Sequence, residues 1–292
     1  MKDQGIGISN LPNIYFSRVV NKGIKFNLMV IGSRGLGKTS FINNFIGKYT
    51  VKRNRMLCFT ELPLHIEVSQ MVVTEHDFNV DLEIIEVDGV GDHIDNEFYL
   101  QNFFKERFNE FDLNSSNDRR VHLCLYFIEP IDFIKKTDVY YIKSLSEYCN
   151  VIPVVAKSDM MCEQDRESFI NKFKGSLEVS KLSFFQNLTT PFFINTGELK
   201  QNEVAKNRIY SEYTLDFNFK NRYYKLVSFI FDEIVKLFNE TQYFFEKYKI
   251  MELANEVIDK NPKSLKKEFL KKFEESKKEI EKLKNRLFKL EK

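Results

Sequence analysis

The octapeptide Gly32-Ser33-Arg34-Gly35-Leu36-Gly37-Lys38-Thr39 restricts the fold of this chain more than any other stretch. It fits the pattern G-x-x-x-x-G-K-[ST] and stands between two segments of different periodicity. Before it, Phe26-Asn27-Leu28-Met29-Val30-Ile31 is a near-continuous apolar run, the pattern of a strand buried on both faces. After it, Thr39-Ser40-Phe41-Ile42-Asn43-Asn44-Phe45-Ile46 reads as the first turns of a helix. Strand, glycine-rich turn and helix in that order make a phosphate cradle. The glycines let consecutive backbone N–H groups converge on one anion at the positive end of the helix dipole. Lys38 is placed to neutralise β- and γ-phosphate oxygens, and the Thr39 hydroxyl to ligate Mg2+. Gly32, Gly35, Gly37, Lys38, Thr39 and Ser40 are therefore expected to line a nucleoside-phosphate site.

With 292 residues there is room for one large α/β domain and an appendage. Lys and Arg total 44 against 42 Asp and Glu, a net charge of +2 that argues against nucleic acid as a partner. Cys58, Cys124, Cys149 and Cys162 show no C-x-x-C spacing and read as reduced thiols of a cytosolic protein. His65, His76, His93 and His122 are scattered, with no pair spaced to share zinc on one helix. No apolar run has the length of a membrane span, and no signal-peptide layout is expected at the start.

Strand-like and helix-like segments alternate downstream. Leu64 to Thr74 and Val80 to Val87 read as strands joined by a turn over residues 76–79, followed by a helical stretch around 96–108. Val121 to Ile128 is a strand, then a helix runs from about 138 to about 147. Val151 to Ala156 is another apolar strand, Glu163 to Lys174 another helix, and Pro191 to Ile194 a short last strand. This alternation predicts a mostly parallel sheet with helices on both faces and a ligand site at the carboxyl ends of the strands. Beyond about residue 216 the chain turns helical, with Leu226, Phe229, Ile230, Ile234, Leu237 and Phe238 on one apolar face. In the last stretch, Phe273, Ser276, Ile280, Leu283, Leu287 and Leu290 follow an a/d register over about three heptads. Three readings of this stretch stand: a solvated charged helix, a short coiled coil needing a partner helix, or a basic face touching anionic lipid.

The base is indicated by Ala156-Lys157-Ser158-Asp159, which closes an apolar strand downstream of the cradle. In P-loop GTPases an [NTA]-K-x-D element supplies a carboxylate that accepts from guanine N1–H and the exocyclic amine, while the Lys stem lies along the base. Adenine lacks those donors, and a buried acceptor left unpaired costs about 1–3 kcal/mol. Lys157 and Asp159 thus select GTP or GDP over ATP.

With these elements in place, the chain resembles the septins, the filament-forming branch of the P-loop GTPases. Ser9-Asn10-Leu11-Pro12-Asn13 and Lys22-Gly23-Ile24-Lys25-Phe26-Asn27-Leu28-Met29-Val30 resemble the family's approach to its first strand. Gly89-Val90-Gly91-Asp92 with Ile94-Asp95-Asn96 resembles its GFGD…DN switch II segment. Arg120 to Ile128 resembles the RVHxCLYFI strand, and Asn150 to Asp159 the NVIPVIAKAD block. The resemblance covers residues 9 to about 160 in order and spacing. It implies an N-terminal segment over 1–24, a septin-type GTP-binding domain over 25–240 and a helical, coiled-coil extension over 241–292. It also implies GTP or GDP with Mg2+, and self-association or assembly with septin-like subunits into cytoskeletal filaments at membranes and division sites in the cytoplasm.

The departures concern the switches. Anchoring on Gly89 places Glu86 at the family's DTPG aspartate, the residue that organises the Mg2+ shell. In a shifted register Asp88 and Gly91 form the DxxG instead; the Glu86 alignment is preferred because the downstream Asp-Asn then falls in place. Pro63 stands near the switch I threonine, where it offers neither hydroxyl nor N–H, and Thr60 substitutes only if the loop rearranges. Ile131 to Thr137 lacks the family's histidine. The tryptophan-containing hairpin is unrecognisable between Gly197 and Asp216, with Arg208 as candidate for the base-stacking arginine. An intact cradle with altered switches predicts guanine-nucleotide binding with GTP hydrolysis that is slow or absent. The alternatives are a monomeric regulatory GTPase switch and a nucleotide-independent scaffold with a relic P-loop. The basic positions Lys48, Lys52, Arg53 and Arg55 read either as a solvated switch loop or as a contact with an anionic membrane surface.

Overall fold

The computed structural model describes residues 24–46, 64–75, 78–91, 96–111, 118–180, 182, 184–195 and 215–260. Six strands form one sheet: β1 (Ile24–Gly32), β2 (His65–Glu75), β3 (Phe78–Asp88), β4 (Leu123–Ile128), β5 (Val151–Val155) and β6 (Phe192–Phe193). Their spatial order is β2-β3-β1-β4-β5-β6, parallel throughout except for the antiparallel β2-β3 pair. The helices are α1 (Lys38–Ile46), α2 (Asn96–Asn109), α3 (Lys136–Leu145), α4 (Glu163–Ser180), α5 (Leu215–Asp232) and α6 (Ile234–Lys260). The mostly parallel sheet with helices on both faces, and the helical carboxy-terminal region, agree with the sequence reading.

Period-2 alternation sorts each central strand onto two cores. On one face Met29, Ile31, Ile85, Val87, Cys124 and Tyr126 meet Leu100 and Phe104 of α2, Tyr141 and Ile142 of α3, and Phe169 and Phe173 of α4. On the other, Leu28, Val30, Ile84, Leu125, Phe127 and Val154 meet Phe41 and Ile42 of α1, Leu226 and Ile230 of α5, and Leu237 of α6. Full burial of one such side chain contributes about 1.5–3 kcal/mol, so helix cover on both faces explains why these strands read as unbroken apolar runs. Phe41 stands edge-on to both Phe127 and Tyr223, which seats the first helix on the end of β4.

Of the boundaries that differ from the sequence expectation, three have a visible local reason. Pairing of Thr74 with Asn79 and Glu75 with Phe78 carries the β2-β3 ladder into the stretch expected to be a turn. Helix α4 runs through Gly175 to Ser180, although glycine inside a helix is unfavourable by roughly 0.5–1 kcal/mol. Beyond that glycine Leu177 packs on the core, which favours continuing the helix. Helix α3 begins at Lys136, placing Asp138 in its first turn, where it accepts a 2.9 Å hydrogen bond from the buried Tyr126 hydroxyl.

The chain divides into two compact units, Met1–Gln242 and Tyr243–Lys292. The heptad-patterned stretch beyond residue 261 lies outside the described residues. Among those described, no helix is long and apolar enough to cross a membrane.

Candidate functional site

Parallel strands bring their carboxyl ends to one edge of the sheet. Gly32, Asp88, Ile128 and Val155, the last residues of β1, β3, β4 and β5, open the connections there. The P-loop leaves β1 through Gly32, whose φ is +154°; a Cβ there would stand 2.6 Å from the Phe127 carbonyl oxygen. Gly35 and Gly37 have φ of +77° and +87°. Phe41 N–H donates to the Gly37 carbonyl at 2.9 Å as α1 begins. The first N–H groups of an α-helix lie at its positive end, an arrangement suited to an anion. Ser40 lies half-buried in the first turn.

Lys38 is 2% exposed. Its ammonium donates to the carbonyls of Gly32 at 3.0 Å and Ser33 at 2.6 Å, and pairs with Asp88 Oδ1 at 2.5 Å. The loop carbonyls curl the side chain back over the cradle, so its charge faces the P-loop rather than solvent. Thr39 Oγ1 donates to Glu86 Oε1 at 2.6 Å. Burial holds the Glu86 carboxyl above its ordinary value, with the charges of Asp88 and Glu67 adding to it. The Thr39 hydrogen bond and the Lys38 charge act the other way.

Two acidic side chains from one strand thus meet the two functional groups of the P-loop, Glu86 at Thr39 and Asp88 at Lys38. No group of three or more His, Cys, Asp or Glu is arranged for a metal among the described residues. Mg2+ at phosphate sites uses one or two protein oxygens and completes its shell with phosphate and water. A hydroxyl and a carboxylate 2.6 Å apart are hard oxygen donors of the kind that fits.

Gly89 follows β3 with φ of +88°, and the buried Asn96 side chain donates to its carbonyl at 2.6 Å. Asn96 opens α2, so the turn after Asp88 is clamped to a helix end. At the other end of α2, Arg107 pairs with the buried Glu83 of β3 and donates to the Arg119 carbonyl at 2.8 Å.

After β5, Lys157 takes the left-handed conformation, φ +48°, which is uncommon for a residue with a Cβ. Lys157 is exposed, Ser158 buried and Asp159 half-buried. Ser158 N–H donates to the Ile194 carbonyl at 3.0 Å, and Arg166 of α4 donates to the Ser158 carbonyl at 2.8 Å. Backbone and side-chain bonds from two elements therefore hold this loop. Arg208, Thr60 and Pro63 lie outside the described residues. Asn96 and Arg166 act through backbone carbonyls and carry no motif of their own; the one hint of Asn96 in the sequence is its place in the Asp-Asn pair after Gly91.

A family model described as "Septin" matches residues 22–212. The "Cell division control protein 3" of Encephalitozoon cuniculi is 30% identical, covering 98% of this chain and 93% of that protein. The human "Neuronal-specific septin-3" is 30% identical over 62% of this chain and 54% of its own length. The solved structure of Cdc11 from Saccharomyces cerevisiae, 19% identical, aligns with 78% of this chain and 99% of that one at a TM-score of 0.50.

Proposed function

The chain belongs to the septin family, and from that premise we propose that it is a guanine-nucleotide-binding subunit of septin hetero-oligomers or filaments. The proposal places these at division sites and membranes, with GTP hydrolysis slow or absent. The observation that carries the nucleotide half is the paired contact of Lys38 and Thr39 with Asp88 and Glu86 at the mouth of a glycine cradle.

In this reading the P-loop N–H groups bind the β-phosphate, Lys38 carries the compensating charge, and Asp159 accepts from the guanine edge with the Lys157 stem along the ring. Arg208 is proposed as the residue stacked on the base. Mg2+, when bound, offsets phosphate charge, and Thr39 and Glu86 are the residues that would hold it, with Glu86 suited to a water-mediated place. Slow or absent turnover follows from the need to position a water in addition to cradling phosphate. Pro63, aligned by sequence with the family's switch I threonine, has no hydroxyl to offer, and Glu86 stands in the sequence where the family has a shorter carboxylate. The assembly half rests on family membership and on the heptad pattern of residues 273–290.

The test is to purify the protein from cells, denature it and chromatograph the released nucleotide. Guanine nucleotide at close to one per chain is the expected result. An empty preparation that also shows no thermal shift with millimolar GDP or GTP would overturn the nucleotide half, because a ligand of the native state must stabilise it.

A further inference from the structure

We propose that Asp88 occupies the γ-phosphate half of the cradle and makes this site selective for nucleoside diphosphates. The inference rests on the nucleotide reading of the site and deepens it.

Among the described residues Lys38 Nζ has three acceptors within reach: two loop carbonyls, which shape the P-loop, and Asp88 Oδ1 at 2.5 Å. The lysine of a P-loop serves the β- and γ-phosphates, so an acidic oxygen at that distance from its ammonium stands where a phosphate oxygen would otherwise be served. Asp88 is the last residue of β3 and lies directly beside Gly32, the first residue of the P-loop, in the parallel β1-β3 register. Its side chain is 31% exposed, facing the open edge of the sheet rather than the core.

The backbone on either side of Asp88 is held. Behind it, the ladder pairs Val87 with both Ile31 and Ile66. Ahead of it, Gly89 sits at φ +88° with its carbonyl bonded to the buried Asn96 amide. An aspartate has two rotatable side-chain bonds, so with its Cα fixed the carboxylate can swing by only a few ångströms and keeps its charge within electrostatic reach of the lysine. A diphosphate can share Lys38 with this carboxylate. A triphosphate brings another charged group to the same ammonium and meets like charge at short range, in a partly desolvated site where charges interact more strongly than in water. Glu86, 7% exposed on the same strand, adds to the acidic wall.

The test is titration calorimetry on the nucleotide-stripped full chain with GDP and with the non-hydrolysable triphosphate GppNHp, each with Mg2+. Wild type, Asp88→Asn and Asp88→Ala are compared, with circular dichroism as the check on folding and the second variant as cover for misfolding of the first. The expected result is that wild type prefers GDP by at least about tenfold, equivalent to 1.4 kcal/mol, and that removing the charge narrows the preference by about tenfold. A wild type that binds both nucleotides equally, or prefers GppNHp, overturns the proposal. So does an unchanged preference in folded variants, which would mean that the carboxylate simply turns away. A folded wild type that binds neither nucleotide refutes the nucleotide reading itself, and that outcome differs from either of the others.

Discussion

At its carboxyl end β1 opens into Gly32 and a buried lysine whose acceptors are two loop carbonyls and one partly exposed carboxylate. At its amino end the same strand carries Asn27, fully buried, whose side-chain amide donates to the carbonyls of Asp118 at 2.9 Å and Arg120 at 2.7 Å. Asn27 N–H donates to His122 Nδ1 at 2.9 Å, and Asn150 donates to the carbonyls of His122 and Leu237. Arg120 completes this end, with its guanidinium on the Asp118 carboxylate, on Gln242 and 3.5 Å above the centre of the Phe111 ring. Both ends bury polar groups. At the amino end the donors are tied to fixed backbone and side-chain acceptors inside the first compact unit. At the carboxyl end one of the lysine's partners is a side chain at the sheet edge, a contact that the oxygens of a diphosphate can share. Burial alone therefore does not mark a site; a partner that leaves the buried group open to a ligand does.

The largest expected effect comes from Lys38→Ala. GDP affinity should fall about a hundredfold or more, in line with removal of one member of a buried charged contact. The urea midpoint measured without nucleotide should drop by less than in Asn27→Ala, because the partly exposed Asp88 and Ser33 carbonyl can turn to water and only the Gly32 carbonyl loses its donor in a buried place. Equal loss of fold and binding would erase the contrast between the two ends.

Asn27→Ala should do the reverse. Two backbone carbonyls lose their buried donor, and stability should drop by about 2 kcal/mol in urea denaturation, while GDP affinity per folded molecule holds within about twofold, as expected for well-separated sites. A large change in affinity would show that the far end of β1 is coupled to the nucleotide.

The smallest effect is a pH dependence. Burial holds the His122 imidazole below its ordinary value of 6.5, against the pull of Asp118, with the charges of Arg120 and Lys25 adding to the depression. Its neutral form also has Nδ1 occupied as an acceptor from Asn27 N–H. Burial opposes ionisation of Asp118, but its bonds to His122 and Arg120 prevail and hold it below the ordinary 3.8. In the window just below 6.5 the unfolded chain binds a proton that the folded chain does not, so stability rises with pH there. It is fully present above 6.5 and declines on acidification, with Asp118 adding a second loss as pH falls below 3.8. His122→Asn keeps an acceptor for Asn27 and cannot titrate. Urea midpoints across this range should lose the first slope and keep a reduced second one, now carried by Arg120 alone.

Much of the fold could be read from the chain because the central strands are buried on both faces and declare themselves as apolar runs. The P-loop was legible because its glycines and lysine must be contiguous. The ladder beyond Thr74 was not: polar residues at a hairpin end look like a turn whether or not they pair. The extension of α4 past Gly175 was hidden as well, since Leu177 packs on a core assembled from distant strands. Within the site, Glu86 could be named as a candidate metal residue from its place ahead of Gly89. That Asp88, two residues on, would meet Lys38 depends on the parallel pairing of β3 with β1. The Asn96 clamp on Gly89 and the Arg166 bond to Ser158 are likewise contacts between segments.

By itself the sequence determined the order of strands and helices, the glycine-rich turn between β1 and α1 and the family, because each rests on residues adjacent in the chain. Only the tertiary structure decided which carboxylate faces the lysine, which faces the threonine, and which polar groups are sealed at the opposite end. Those choices are made by sheet register and helix packing, which bring residues about fifty to a hundred positions apart within hydrogen-bonding distance, as between Thr39 and Glu86 or Asn27 and His122.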